Sequence, residues 1–152
     1  MLETLLGREG VDPDKLDNYG RTPLSYAAQD GHEEVAKILL GREKVDPDKP
    51  SNYGRTPLSY AAQDGYDGVA KILLERNEVK PDKPDGYGKT PLSFAAQNGH
   101  EEVIKVLLGR EAVKPGKPDS DGQTPLMLAA RYGHRSVIEL LRPRGAVTPR
   151  AI

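Results

Sequence analysis

The feature that most constrains this chain is one sentence written four times. GRTPLSYAAQDGHEEVAKILL begins at Gly20 and returns as GRTPLSYAAQDGYDGVAKILL at Gly54. A third copy, GKTPLSFAAQNGHEEVIKVLL, starts at Gly88, and a fainter one, GQTPLMLAARYGHRSVIELL, at Gly122. Successive starts are 34 residues apart. A fixed period of that size marks a stacked array, in which each unit buries a thin layer against its neighbours. With 36% apolar residues, one Phe and no Trp, the chain is poorly supplied for a single central core and adequately supplied for thin layers.

Each unit reads as two short helices and a loop. Thr22-Pro23 is a helix start, a hydroxyl N-cap followed by Pro where the missing N–H costs nothing. LSYAAQD continues the helix and puts Leu24, Ala27 and Ala28 on one side, the paired alanines allowing close helix packing. Gly31 ends it. A second helix is expected from near His32, with Glu33 and Glu34 at its electropositive first turn and an apolar stripe of Val35, Ile38 and Leu39, widened by Leu40. The Pro-, Asp- and Lys-rich run GREKVDPDKPSNY must be a loop reaching the next unit. Neither helix reaches the ~12–15 residues at which an isolated helix becomes even marginal, so stability must come from stacking.

Aligned on the repeat, MLETLL falls on Val35–Leu40, so the chain is expected to open on a second helix lacking its first. This divides 1–152 into a partial repeat (1–19), three full repeats (20–53, 54–87 and 88–121) and a cap-like last one (122–152). In the last, Arg142 stands where Leu108 closes the previous repeat and Pro143 follows at once, which suits a partial C-terminal cap. The net charge of −1 conceals a gradient. Residues 1–53 carry seven Lys/Arg against eleven Asp/Glu, whereas residues 122–152 carry five against one.

GRTPLSYAAQDGH…V…ILL resembles the ankyrin repeat, with its turn Gly, T-P-L, A-A, G-H and closing L-L. The resemblance covers all but the ragged ends. It implies an all-α fold, an ankyrin-repeat solenoid of stacked helix-turn-helix units with projecting loops. Two departures stand out. The family's His after T-P-L is Ser25, Ser59, Ser93 and then Met127, so the usual Thr-to-His hydrogen bond is not expected. The repeat is also one residue longer than the common 33. TPLS wording and V-D-P-D loops are similar to arrays of filamentous fungi, where they often form the sensing end of larger receptor-like proteins.

Catalytic, cofactor and metal sites are not expected. The absence of Cys removes disulfides, thiolate ligands and thiol nucleophiles. His32, His100 and His134 share one repeat position, and units roughly 8–10 Å apart cannot bring them to the ~2 Å from one ion that zinc requires. DPDKLDNYG (Asp12–Gly20) glances at a calcium loop but lacks its glycine and closing Glu, and its later copies put Lys80 and Lys114 in place of Asp46. No phosphate-cradling glycine motif occurs. Ser25, Ser59 and Ser93 repeat without a base beside them. No signal peptide or membrane span is evident, which suits a cytoplasmic or nuclear protein. Basic residues after Gly122, among them Arg135, Arg142, Arg144 and Arg150, have little aromatic interleaving, so nucleic acid is not the expected partner.

A protein partner is. The resemblance implies a concave groove lined by loop tips and the exposed side of each first helix. By position, the first full repeat contributes Asn18, Tyr19, Arg21, Gln29 and Asp30, and the second Asn52, Tyr53, Arg55, Gln63 and Asp64. The third contributes Gly86, Tyr87, Lys89, Gln97 and Asn98, and the last Ser120, Asp121, Gln123, Arg131 and Tyr132. Tyr and Arg are enriched at interface hot spots. These tyrosines also suit packing on a neighbouring loop or its prolines, and the near-identity of the copies is unusual for a surface fitted to one irregular partner. A second reading therefore stands beside the first: the array stacks head to tail on itself, through an acidic N-terminal end exposing Leu2, Leu5 and Leu6 and a basic C-terminal end.

Overall fold

The computed structural model describes residues 10–142. The expectations for Met1–Leu6, for Pro143 and for the arginines beyond it lie outside the described residues. Within them the fold is all-helical, with eight helices and no strand. They are α1 (Pro23–Asp30), α2 (Glu33–Leu40), α3 (Pro57–Asp64), α4 (Asp67–Leu74), α5 (Pro91–Asn98), α6 (Glu101–Leu108), α7 (Pro125–Arg131) and α8 (Arg135–Leu141). Each consecutive pair packs as a hairpin; first helices stack on first helices and second on second. The result is a solenoid of four helix pairs, with no helix among the described residues long and apolar enough to cross a membrane.

The helix starts follow the chemistry of Thr-Pro. The Thr22 hydroxyl accepts from the Ser25 backbone N–H at 3.1 Å, and Thr56, Thr90 and Thr124 repeat the cap. Serine, where the family pattern has His, still serves this junction: the Thr22 and Ser25 hydroxyls lie 3.1 Å apart in a hydrogen bond, as do Thr90 and Ser93. A side-chain link is thus kept with a shorter partner, and Ser25, Ser59 and Ser93 are buried with their hydroxyls in use. Met127 breaks the series, and Thr124 there caps the backbone alone.

The core is a column of leucines and alanines. Leu24, Ala28, Leu58, Ala62, Leu92 and Ala96 are fully buried, and small side chains let α1, α3, α5 and α7 approach closely. The second-helix stripe differs slightly from expectation. Ala36 is sealed along with Leu39 and Leu40, while Ile38 sits at the margin, half-exposed, because the buried face is turned toward Ala36. His32 is the N-cap residue and the helix proper starts at Glu33.

Loops join the repeats as well as helices. Asn52 N–H donates to the Tyr19 carbonyl at 2.8 Å, Gly86 N–H to Tyr53 at 2.8 Å and Ser120 N–H to Tyr87 at 2.9 Å. This closeness explains Gly54, which has φ +79°: a Cβ there would lie 2.9 Å from the Gly86 nitrogen. On the loop's other side, Asp14, Asp48 and Asp82 carboxylates each accept the backbone N–H of the next repeat, from Asp46, Lys80 and Lys114 at 3.1, 3.3 and 3.2 Å.

Candidate partner-binding groove

A short polar turn places every groove residue. At the loop base, Asp17, Ser51, Asp85 and Asp119 occupy one register, and each side chain accepts two backbone N–H groups, two and four residues on. This fixes the loop tip, so the tyrosine two residues later projects from a rigid base. Tyr19, Tyr53 and Tyr87 are 54, 54 and 62% exposed. Their carbonyls do the stacking, and their rings are left to solvent rather than packed under a neighbouring loop.

The cations differ from repeat to repeat, although the sequence writes them alike. Arg21 Nε lies 2.9 Å from Asp17, its guanidinium donates to the Tyr26 hydroxyl at 2.6 Å, and that hydroxyl donates to Asp17 at 2.5 Å. Arg21 also lies over the Tyr26 and Tyr19 rings, 4.5 and 5.1 Å from their centroids. The Tyr26 hydrogen bond, followed by backbone and Arg21 donors, holds the Asp17 carboxyl well below the usual range, and the same bond raises Tyr26. Arg55, one repeat on, has Ser51 at its base instead of Asp and turns the other way. It donates to Gln63 Oε1 at 2.6 Å, stacks 4.6 Å from the Phe94 centroid and lies 3.7 Å from the buried Asp85 carboxylate. Lys89 donates to Gln97 Oε1 at 2.7 Å.

The side chains that meet are Tyr19, Arg21, Gln29, Tyr53, Arg55, Gln63 and Tyr87, which line one open groove of about 420 Å³ together with Tyr60. Tyr60 went unnoticed in the sequence because it sits inside the first-helix wording; its register with Tyr26 and Phe94 was the available signal. Gln29 differs from its copies. With Arg21 drawn to Asp17, the buried Gln29 Oε1 has no hydrogen-bond donor, whereas Gln63 and Gln97 have theirs.

Other expected positions lie outside this groove. Asp30 borders an apolar hollow at the N-terminal end. Asp64 is exposed, its carboxyl raised by desolvation and by the Asp30 charge, against the lowering effects of His100 and Arg55. Asn98 donates to the Gln63 carbonyl at 2.9 Å, so it braces the junction. Gln123 is held by its backbone to Asp119, and Arg131 lies 5.9 Å from the Tyr132 ring centroid. Asn52 Nδ2 reaches the Asn18 carbonyl at 3.2 Å, and Gly86 and Ser120 serve the loop ladder. His100 and His134 donate Nε2–H to the Gln63 and Gln97 carbonyls at 2.9 and 2.8 Å, a bracing role. Among the described residues no three His, Asp or Glu side chains are grouped to hold a metal ion.

A family profile described as ankyrin repeats (3 copies) matches residues 1–85 and 77–150. No curated protein matches the chain.

Proposed function

The chain belongs to the ankyrin-repeat family, and on that premise we propose that it is a non-enzymatic protein-interaction module whose concave strip binds one protein partner. Ankyrin repeats are in general protein–protein interaction modules. The observation that carries the assignment to this strip is the convergence of Tyr19, Tyr53 and Tyr87, exposed and rigidly based, with Arg21 and Arg55 on one groove. Aromatic and guanidinium groups held in place before contact offer area and hydrogen bonds at little entropic cost. The base of the groove is braced by hydrogen bonds, which favours docking with little backbone change.

The module acts as a small adaptor or as the recognition part of a longer array. A cytoplasmic or nuclear setting suits its cysteine-free sequence. Capture of a partner from lysate tests the strip. Tyr53→Ala alone, and Tyr53→Ala with Arg55→Ala, should abolish capture while the helical signal stays intact. The single variant matters because Arg55 also lies beside the buried Asp85. Unchanged capture by both variants overturns the assignment.

A further inference from the structure

The second repeat shows what the groove side chains are built to hold. Arg55 reaches toward the following repeat, where its guanidinium donates to Gln63 Oε1 at 2.6 Å, lies over the Phe94 ring and comes 3.7 Å from the Asp85 carboxylate. One repeat earlier the same place is built from Gln29, Tyr60 and Ser51. Its own arginine does not fill it. Arg21 would meet a serine hydroxyl there instead of a carboxylate, and it folds back onto Asp17 at 2.9 Å and over the Tyr26 ring. Gln29 Oε1 is left without a donor, and no cation lies over the Tyr60 ring among the described residues. Gln29 and Tyr60 both line the open groove of about 420 Å³.

We propose that this place receives an arginine side chain of the protein partner, its guanidinium lying over the Tyr60 ring and donating to Gln29. The inference rests on the concave strip being the binding surface. Gln63 and Gln97 each accept from a cation, Arg55 and Lys89, so the chain's own repeats show what suits an acceptor at this register. Arginine makes the closer ring contact of the two: Arg55 lies 4.6 Å from the Phe94 centroid and Lys89 5.8 Å. Gln29 Oε1 is buried where it stands, and turning it into the groove breaks no hydrogen bond of that oxygen. Tyr19 and Tyr53, each 54% exposed, line the same groove and offer ring surface to the aliphatic stem of the entering side chain.

Charge fits as well. Both arginines that line the groove are already matched, Arg21 by Asp17 at 2.9 Å and Arg55 by Asp85 at 3.7 Å. Asp30 and Asp64, each one residue beyond a groove glutamine, are exposed and have no ion pair among the described residues. The strip of the first two repeats therefore carries two unmatched carboxylates beside two matched arginines, a field that favours an incoming cation.

The probe is the peptide acetyl-Gly-Arg-Gly-amide, with citrulline in place of arginine as the control. Each is titrated into the isotope-labelled full chain and followed by amide chemical shifts. The arginine peptide should move the signals of Gln29, Tyr53 and Tyr60, bind about ten-fold more tightly than the citrulline peptide and weaken as salt rises. Gln29→Met keeps the bulk, removes the acceptor and should weaken binding about five-fold or more. Tyr60→Leu copies Leu128 of the last repeat and should also weaken it. Asp17→Ser copies Ser51 and releases Arg21 to fill the place itself, so it should weaken binding more in the parent than in an Arg21→Ala background. The helical signal and unfolding midpoint check that each variant is folded. The proposal is overturned by unmoved signals at those residues, by equal binding of the citrulline peptide, or by a Gln29→Met variant that binds like the parent. Equal effects of Asp17→Ser in the two backgrounds overturn it too. Capture from lysate keeps the two readings apart. Capture lost in Tyr53→Ala but kept in Gln29→Met overturns the arginine and leaves the strip, whereas capture kept in both overturns the strip.

Discussion

His100 Nε2 lies 2.9 Å from the carbonyl oxygen of Gln63, a hydrogen bond that crosses from one repeat to the one before it. His134 makes the same bond to Gln97 at 2.8 Å, so the G-H dipeptide of each sentence is a brace on its predecessor. In the second repeat Tyr66 stands in that place, packed by its ring over Gly31. A linear array has few contacts between distant parts, and such braces carry much of its cooperativity.

Removing that brace is expected to cost about 1 kcal/mol. Asn98 still donates to the Gln63 carbonyl in His100→Ala, so the acceptor is not orphaned and the loss stays near that of one hydrogen bond. Urea unfolding followed by far-ultraviolet circular dichroism measures it. An unchanged midpoint would mean that the histidine merely fills space.

Gly68 sits in the first turn of α4, where the first and third copies have Glu. A Gly inside a helix costs up to about 1 kcal/mol relative to a good helix former. Amides over Tyr66–Ala70 should therefore exchange faster than those over His100–Ile104. Gly68→Ala should slow them and raise the midpoint, because its Cβ meets only the flexible end of Glu33, which can swing away. Equal protection in the two segments, or a variant less stable than the parent, contradicts this account.

Asp48 bears on pH. Desolvation raises its carboxyl above the ordinary 3.8, against the lowering effects of the Lys80 N–H and Lys83, and one of its oxygens is buried without a partner. The folded state thus holds a proton that the unfolded state has released. This contribution favours folding below the ordinary value and is lost as pH rises from 3.8 through the raised folded value. Asp48→Asn cannot titrate, so its stability relative to the parent should improve as pH climbs through that window. Asp17, held low by Tyr26, has the opposite sign: its contribution is present above the ordinary value and lost on acidification. Tyr26→Phe should reduce that acid-side loss. Parallel pH profiles for parent and Asp48→Asn would refute the assignment.

Much of the fold was legible because the local signals agree. Thr22-Pro23 starts a helix in any context, Gly31 permits the left-handed end, and the 34-residue step demands stacking. Tyr19, Arg21 and Gln29, with their copies, could be assigned to one surface by register once the ankyrin resemblance implied a concave groove. Their partners could not. Arg21 and Arg55 occupy the same place in nearly identical sentences, yet one folds back onto Asp17 and the other reaches forward to Asp85. The column Asp17, Ser51, Asp85 was visible as letters, but which cation reaches which carboxylate depends on the distance between repeats and on the aromatic ring beneath each one.

The sequence by itself determined the repeating unit, its helix caps, its turns and the solenoid they imply, since each follows from chemistry within about forty residues. Only the tertiary structure decided which copies of a residue are equivalent in practice. Burial, charge pairing and hydrogen bonding are properties of neighbours, and what lies beside a residue differs from one repeat to the next. Tyr26 and Tyr60 are the same letter in the same word, and a neighbouring helix covers one while leaving the other open.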